Sequence, residues 1–255
     1  MVERGLATNT RDAYASDLEQ LAIFIRDNSN SVVADLDWKR LDRVNIEQYI
    51  QDLENRGYSA TTRARKIASM RSFMRFLHDE DIFSDNPGLR LRSPRIGRAL
   101  PKTLRVDEVA QLLDSITQVK RPGNLRDSAM FELMYACGLR VSELIGLDES
   151  DFDADQELVR VLGKGNKERL VPVHDVAIMA VERYIAGGRP TLTSVQSENA
   201  LFLNRRGKRI SRQGFWFRLR HAAVLAGLHG RLTPHTLRHS FATHLLHGGA
   251  SLRHV

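Results

Sequence analysis

The stretch Thr233-Pro-His-Thr-Leu-Arg-His-Ser-Phe-Ala-Thr-His-Leu-Leu246 predicts a single amphipathic helix near the C-terminal end of the sequence. Pro234 is typical of a helix start, and Gly248-Gly249 is typical of the residues that end one. An apolar row at helical spacing runs between these two signals, formed by Leu237, Phe241 and Leu245.

His235 and Arg238 are the polar pair of this helix. They are three residues apart, so both project from one face. An imidazole exchanges protons near neutral pH, and a guanidinium is a planar cation with five hydrogen-bond donors. Together they are suited to holding a phosphodiester while a proton moves.

Two further candidate side chains lie upstream. Arg140 follows a glycine turn at Gly138, where a bend in the backbone can direct a side chain into a cleft. Residues 158–162 and 168–173 alternate in the manner of strands and form the clearest hairpin in the sequence. Lys164 lies at the tip of this hairpin, between two glycines.

These four side chains could serve one phosphate. The transition state of phosphoryl transfer carries charge on its equatorial oxygens, which fixed arginines stabilise better than water does. A lysine whose pKa is lowered by neighbouring cations can protonate a leaving 5′ oxygen. Each element alone is a weak signal, and it is their joint order and local context that makes the signal strong.

The composition indicates an ordinary globular protein. A chain of 255 residues predicts two domains, and 42% apolar with 27% charged residues excludes a disordered chain. No apolar run approaches the length of a membrane span, and the first residues lack a signal-peptide core. The single cysteine, Cys137, has apolar neighbours, which indicates a buried structural thiol and fits a reducing cytoplasm.

Charge is distributed unevenly along the chain. The net charge is +7, and no acidic residue follows Glu198, whereas ten Lys and Arg and seven of the nine His lie there. The simplest alternative is a basic face that only contacts solvent. So uneven a distribution of charge nevertheless favours a polyanionic partner, and nucleic acid is the first candidate.

Residues 1–85 are predicted to form a small helical domain, with helices over 10–27 and 44–55 and a third from a cap at Ser59 to Leu77. The third helix carries basic side chains that either form a solvated face or contact DNA. The residues that we predict to contact DNA are Arg63, Arg65, Lys66 and Arg71.

Residues 86–103 are predicted to form a basic linker that lies along the DNA. Six basic residues and no acid occur between 86 and 106, with Pro94 and Pro101 interspersed. The predicted contacts in the linker are Arg90, Arg92, Arg95, Arg98 and Lys102.

Residues 104–255 are predicted to form a second, mainly helical domain around the hairpin. Helices are expected over 107–116, 128–137, 143–147 with a cap at Ser142, 176–185 and 213–226. Two more basic residues are predicted to contact DNA, Lys167 and Arg212.

Three segments carry a family resemblance: Ala136-Cys-Gly-Leu-Arg-Val-Ser-Glu-Leu144, Gly163-Lys-Gly-Asn-Lys-Glu-Arg-Leu-Val-Pro172, and the stretch quoted first. In them the chain resembles the tyrosine recombinases of the integrase family, above all the XerC/XerD type. The resemblance spans essentially the whole chain. It implies a mainly α, two-domain protein, with a helical core-binding (SAM-like) domain and an α+β catalytic domain with a small antiparallel sheet. It further implies a C-shaped clamp around duplex DNA.

The resemblance implies a role for each candidate residue. Arg140 and Arg238 would clamp the scissile phosphate, and Lys164 would protonate the leaving 5′ oxygen. His235 would help to bind the phosphate and manage the proton of the attacking hydroxyl. Glu143 would hold an active-site side chain. An equally good interpretation is that Glu143 has no role in the site and is present because the helix dipole favours an acid in the first turn.

The implied activity is site-specific strand exchange through a 3′-phosphotyrosyl intermediate, for resolution of chromosome or plasmid dimers. The implied partners are double-stranded DNA and a second protomer, identical or paralogous, in a DNA-bound tetramer. No cofactor and no metal are expected, and the expected location is the cytoplasm, at the nucleoid.

The sequence departs from the family pattern at its end. The family places a second His or Trp and then the tyrosine nucleophile downstream of the HxxR segment, and no tyrosine follows that segment here. We expect a catalytic domain that is incomplete at its C-terminus, so that the chain binds DNA without cleaving it. The tyrosines present are Tyr14, Tyr49, Tyr58, Tyr135 and Tyr184.

Other functions remain as alternatives. A non-catalytic DNA-binding fragment or degenerate recombinase that regulates a partner is the main one. His235 and His239 have a metal-ligand spacing, but no Glu follows the first His and no carboxylate follows Glu198. No G-x-x-x-x-G-K-[ST] motif of a P-loop occurs. A type IB topoisomerase, which shares the chemistry, is the enzymatic alternative.

Overall fold

The computed structural model describes residues 8–28, 38, 41–82, 88, 91, 94, 103–117, 122–163, 167–193 and 199–250. The chain divides into two compact units, Met1–Ala99 and Leu100–Val255. Helices predominate in both, and the second contains a three-stranded antiparallel sheet. The predicted fold class is confirmed.

The first unit is built on three helices, α1 (Thr8–Asn28), α2 (Arg43–Asn55) and α3 (Ala60–Asp79). Asp42 caps α2 by accepting a hydrogen bond from the Asn45 amide at 2.8 Å, and Ser59 caps α3 as predicted. The core that these helices share consists of Leu21, Phe24, Leu41, Ile46, Tyr49, Leu53, Ile67, Met70, Met74 and Leu77.

The second unit begins with α4 (Val106–Thr117), α5 (Pro122–Cys137) and α6 (Val141–Gly146), followed by a 3₁₀ turn (Glu149–Asp151). The middle of α5 is buried on every side, which explains why its sequence is apolar without a polar face. The start of α5 lies six residues before the predicted start. The predicted cap at Ser142 is wrong, because Arg140 is the N-cap residue of α6.

The sheet consists of β1 (Phe152–Asp153), β2 (Leu158–Leu162) and β3 (Glu168–Pro172) in the order β1-β2-β3. The register pairs Leu162 with Glu168 and Leu158 with Pro172. The hairpin of β2 and β3 is therefore confirmed at the predicted positions, whereas β1 was too short for its pattern to be predicted.

The remaining elements are α7 (Asp175–Arg183), a π-helical turn (Tyr184–Gly188), α8 (Arg189–Leu192), α9 (Arg212–Leu225) and α10 (Pro234–His247). Helix α10 is the predicted amphipathic helix: Thr233 caps its start, and Gly248 caps its end. Among the described residues, no helix has both the length and the apolar character needed to cross a membrane.

The turn between α5 and α6 lies directly against α10. Gly138 adopts φ +56°, and a Cβ atom added there would lie 2.3 Å from the Phe241 ring. Only glycine combines this backbone conformation with such a close approach. The start of α6 is thereby held beside α10, which brings two of the predicted site residues together.

Candidate active site

Arg140 occupies the N-cap of α6, immediately beside the buried carboxylate of Glu143. The Arg140 amide donates to Glu143 Oε2 at 2.7 Å, and Arg140 Nη1 donates to Oε1 at 2.9 Å. The Arg140 side chain remains 57% exposed, while that of Glu143 is 3% exposed. Arg140 is thus fixed at one point and still presents most of its guanidinium to solvent.

Three guanidinium groups surround this single carboxylate. Arg169, on β3, donates Nη1 to Glu143 Oε1 at 3.0 Å and Nη2 to Oε2 at 3.1 Å. Arg238, on α10, places Nη1 3.6 Å from Glu143 Oε2. Three cations and one anion leave a net charge of +2 at the cluster. We call these four residues the arginine cluster.

The protonation of the cluster follows from its contacts. Burial acts to raise the pKa of Glu143, but the hydrogen bonds from Arg169 and Arg140 outweigh it and hold the pKa below its ordinary value. Burial, followed by the charge of Arg140, lowers the pKa of Arg238. An arginine remains protonated at neutral pH, so the cluster is a fixed positive site.

Arg238 has a buried donor that nothing in the described part of the chain satisfies. Its side chain is 28% exposed, but Nη1 is buried and makes no hydrogen bond there. Such an orphaned group costs free energy, and an external anion with oxygen acceptors would satisfy it.

A cleft of about 610 Å³ adjoins the cluster. Arg169 and Arg238 form its charged part, and the ends of α5, β3 and α10 form its apolar part. Cys137 also lines it and is buried as predicted; burial raises the pKa of this thiol to about 12, so it is no nucleophile. The apolar lining includes Leu170, Val171, Pro172, Phe241, Ala242 and Leu245.

The structure brings Arg140, Glu143 and Arg238 together, and it leaves His235 apart from them. His235 is exposed in the first turn of α10, one turn before Arg238, and it has no hydrogen bond to the cluster among the described residues. Lys164 lies outside the described residues. The neighbouring Gly163 lies against Arg169, since an added Cβ would be 3.2 Å from Arg169 Nη1.

The predicted DNA contacts on α3 require a correction. Lys66 is 3% exposed and donates to Asp17 at 3.0 Å and to Gln20 at 2.7 Å, so the prediction that it contacts DNA is wrong. A lysine ammonium is buried only when it is paired, and this one belongs to the core of the first unit.

The three other residues of α3 that we predicted to contact DNA also have internal partners, which leaves their contact with DNA a prediction. Arg63 pairs with Glu54, Arg65 pairs with Asp17, and Arg71 donates to the Leu91 carbonyl.

The remaining predicted contacts are untested. Lys167 and Arg212 are exposed. Outside the described residues lie Arg90, Arg92, Arg95, Arg98 and Lys102.

Arg169 is the site residue that our sequence reasoning missed. The alternation of β3 places Arg169 on the same face as Val171, which packs against the core. A cation at an inward position of an alternating strand needs a buried acid as a partner, and this signal was present in the sequence.

The structure shows no metal site in the described ranges. Within them, no three or more His, Cys, Asp and Glu side chains lie close enough to hold a metal ion.

Comparison with known proteins agrees with this architecture. The model of the phage integrase family matches residues 102–255, and that of the phage integrase N-terminal SAM-like domain matches residues 1–81. Tyrosine recombinase XerD of Proteus mirabilis is 42% identical over 255 residues, which are all of this chain and 79% of the relative. Tyrosine recombinase XerC of Herpetosiphon aurantiacus is 42% identical over 254 residues, and the match covers 81% of that relative.

Solved structures show the same fold. XerH site-specific recombinase, bound to a palindromic difH substrate in a post-cleavage complex, superposes with a TM-score of 0.74 at 20% identity, over 93% of this chain and 69% of that one. A lambda integrase dimer bound to a COC′ core site gives a TM-score of 0.70 at 17% identity, over 96% of this chain and 85% of that one.

The chain therefore belongs to the phage integrase family. Within that family, the relatives named above are tyrosine recombinases of the Xer type.

Proposed function

We propose that this chain binds duplex DNA at a specific site and clamps one phosphodiester between Arg140 and Arg238, as part of site-specific strand exchange. The observation that carries the proposal is the arginine cluster: an excess of two positive charges, a half-exposed Arg140 and a buried, unsatisfied donor on Arg238. A phosphodiester offers the anionic oxygen acceptors that these donors lack.

The chemistry of strand exchange assigns roles to the two other predicted residues. Lys164, next to the glycine that contacts Arg169, would protonate the leaving 5′ oxygen. His235, one helical turn from Arg238, would contact the phosphate and manage the proton of the attacking hydroxyl. The covalent intermediate would be a 3′-phosphotyrosyl ester, which conserves the energy of the broken phosphodiester bond.

The relatives named above support the biological setting. The Xer relative named first matches this chain along its whole length, and the XerH structure contains its difH substrate. We propose double-stranded DNA and further recombinase protomers as partners, and resolution of chromosome or plasmid dimers as the task. Residues 1–85, 86–103 and 104–255 would act as core-binding domain, linker and catalytic domain.

A second candidate function is DNA binding without cleavage by these 255 residues. No tyrosine follows α10, and two of the five tyrosines serve the fold. Burial raises the pKa of Tyr49 to about 12, and Tyr184 accepts a hydrogen bond from the Leu203 amide at 3.1 Å. A third, Tyr135, shares a hydrogen bond of 2.8 Å with His244 Nδ1.

Selection from random duplexes tests the first function. Residues 1–255 should enrich one inverted-repeat sequence, and the affinity for it should fall steeply with salt because Lys and Arg contacts release counterions. If no sequence is enriched and the affinity for DNA does not depend on salt, a site-specific interface dominated by phosphate contacts is contradicted.

A nicked suicide substrate carrying the selected site separates the two functions. We expect no covalent protein–DNA adduct from residues 1–255. If an adduct forms, peptide mapping identifies the attacking residue, and binding without cleavage is excluded.

A further inference from the structure

Arg169 makes a two-point side-chain contact with Glu143, although it is not one of the residues assigned to the phosphate, which are Arg140, Lys164, His235 and Arg238. It connects β3 to α6 across 26 positions of sequence by a two-point hydrogen bond to Glu143. A fork of this kind between a guanidinium and a carboxylate fixes both groups in orientation as well as in distance.

The hydrogen-bonding capacity of Glu143 is filled without Arg238. A carboxylate has about four acceptor positions. Glu143 accepts two hydrogen bonds from Arg140 and two from Arg169, at 2.7 to 3.1 Å. Arg238 Nη1 is therefore left at 3.6 Å, beyond hydrogen-bonding distance, and its donor stays unsatisfied.

Loss of the Arg169 fork would free two acceptor positions on a buried carboxylate. Arg238 Nη1 is already adjacent to one of them, and a buried carboxylate strongly favours a paired cation. Arg238 would then satisfy Glu143 instead of an incoming anion.

We propose that Arg169 is a positioning residue, which occupies Glu143 and so keeps the Arg238 guanidinium available for a phosphate group. This inference rests on the proposed function, in which Arg238 binds a phosphodiester. Arg169 itself acts through Glu143.

Binding of inorganic phosphate to the whole chain tests this inference. The probe is a titration of the ¹⁵N-labelled chain with inorganic phosphate at low ionic strength, followed by the Nε–Hε resonances of the arginines. Arg169→Met should weaken phosphate binding by about ten-fold, the equivalent of one charge-assisted hydrogen bond. Arg169→Lys, which keeps the charge but not the fork, should lie between Arg169→Met and the unmodified chain.

Arg160→Met is the matched control. Arg160 lies on β2, in the same sheet, is exposed, and pairs with Asp151 at 3.3 Å. Its loss removes one positive charge from the sheet without touching Glu143. Phosphate affinity should therefore change by less than about two-fold, as expected for a solvent-screened charge.

A double-variant cycle separates positioning from a simple effect of charge. In the Glu143→Gln background, Arg169→Met should cost much less affinity, because a neutral amide does not compete for Arg238. An equal loss in both backgrounds would overturn the inference. Thermal melting checks that each variant folds. If Arg169→Met does not fold, the comparison is made with Arg169→Lys instead.

The controls also separate this inference from the proposed function. If Arg140→Ala and Arg238→Ala leave phosphate binding unchanged, the phosphate clamp itself is wrong. If both weaken binding while Arg169→Met and Arg169→Lys do not, the clamp stands and the positioning role of Arg169 is wrong.

Discussion

Each of the two units buries a carboxylate among basic side chains, and the two arrangements differ in one respect. In the first unit, Asp17 and Lys66 are both almost fully buried and lie 3.0 Å apart. Gln20 also accepts a hydrogen bond from Lys66, and the partly exposed Arg65 pairs with Asp17 as well. In the second unit, Glu143 is equally buried among three arginines, but Arg238 Nη1 has no hydrogen-bond acceptor among the residues that the structure describes.

The comparison distinguishes a structural ion pair from a binding site. The buried groups of the Asp17 pair satisfy each other, so the pair fixes α1 against α3. The arginine cluster keeps a positive charge and an open donor at the edge of a cleft, which is the condition for binding an anion. The four predictions below, in order of decreasing effect on stability, test this distinction.

The largest expected effect comes from breaking the satisfied pair. Asp17→Ala leaves the Lys66 ammonium buried without a counter-ion, which should cost about 3–5 kcal/mol of the free energy of unfolding. Adding Lys66→Met should recover most of this loss. Urea denaturation measures it, with the exposed Asp12→Ala as a control that should change nothing measurable. A loss no larger than that of the control would contradict a satisfied structural pair.

Gly138→Ala should damage the second unit and its cluster together. The added methyl group meets the Phe241 ring at 2.3 Å, and the left-handed backbone is unfavourable for alanine, so we expect a loss of about 2–4 kcal/mol.

Gly57→Ala is the matched control for that substitution. Gly57 has φ +72° but has nothing within 4 Å of an added Cβ, so only the backbone cost of about 1 kcal/mol applies. Equal losses in the two variants would mean that the approach of the α5–α6 turn to α10 is not tight.

The dependence of stability on pH should distinguish two buried carboxylates of the second unit. Burial, with the charge of Asp114 second, raises the pKa of Glu132 to about 7 from an ordinary value of 4.5. The folded state then binds more protons than the unfolded state between these values, so stability falls as the pH rises through this window, by roughly 3 kcal/mol. Glu132→Gln should remove this fall.

Glu143 should behave in the opposite sense. Its pKa is lowered, so its contribution is present above the ordinary value and is lost as the pH falls through the folded value. Denaturation midpoints from pH 3 to 8 measure both trends. A variant with Glu132→Gln that keeps the full loss above pH 4.5 would contradict the assignment to Glu132.

The smallest effect on stability is expected at the proposed binding residue itself. Arg238→Met removes no hydrogen bond made by Nη1 and reduces the excess of positive charge, so unfolding should change by less than about 1 kcal/mol. Binding of inorganic phosphate should nevertheless be lost. A destabilisation as large as that of Asp17→Ala would mean that Arg238 is structural.

The sequence predicted the parts of this molecule whose signals are local. Alternation around a glycine-rich turn located β2 at its observed bounds and β3 to within one residue, and Pro234 with Gly248-Gly249 bounded α10. The candidate site was predicted because Arg140 and Arg238 each lie in a distinctive local context. Glu143 was left between two roles, and the structure agrees with both: it lies in the first turn of α6, where it accepts from the Arg140 amide, and it also contacts the Arg140 guanidinium.

The sequence failed where a residue depends on a distant partner. Lys66 shares a helix with exposed arginines, and its burial becomes evident only when α1 brings Asp17, 49 positions away, against it. The inward position of Arg169 could be read from the alternation of β3, but its partner Glu143 lies on another element, 26 positions away. Local periodicity identifies a face, whereas charge pairing across the fold decides whether that face is core, surface or site.

The central claim, that Arg140 and Arg238 hold one specific phosphate, is tested most directly by neutralising the phosphates of the selected DNA site one at a time. Each duplex carries a single methylphosphonate, and its affinity is measured for the unmodified chain and for the Arg140→Ala, Arg238→Ala double variant. The account predicts one position per half-site at which the neutral linkage weakens binding by the unmodified chain but not by the double variant. Identical interference profiles for the two proteins would contradict it.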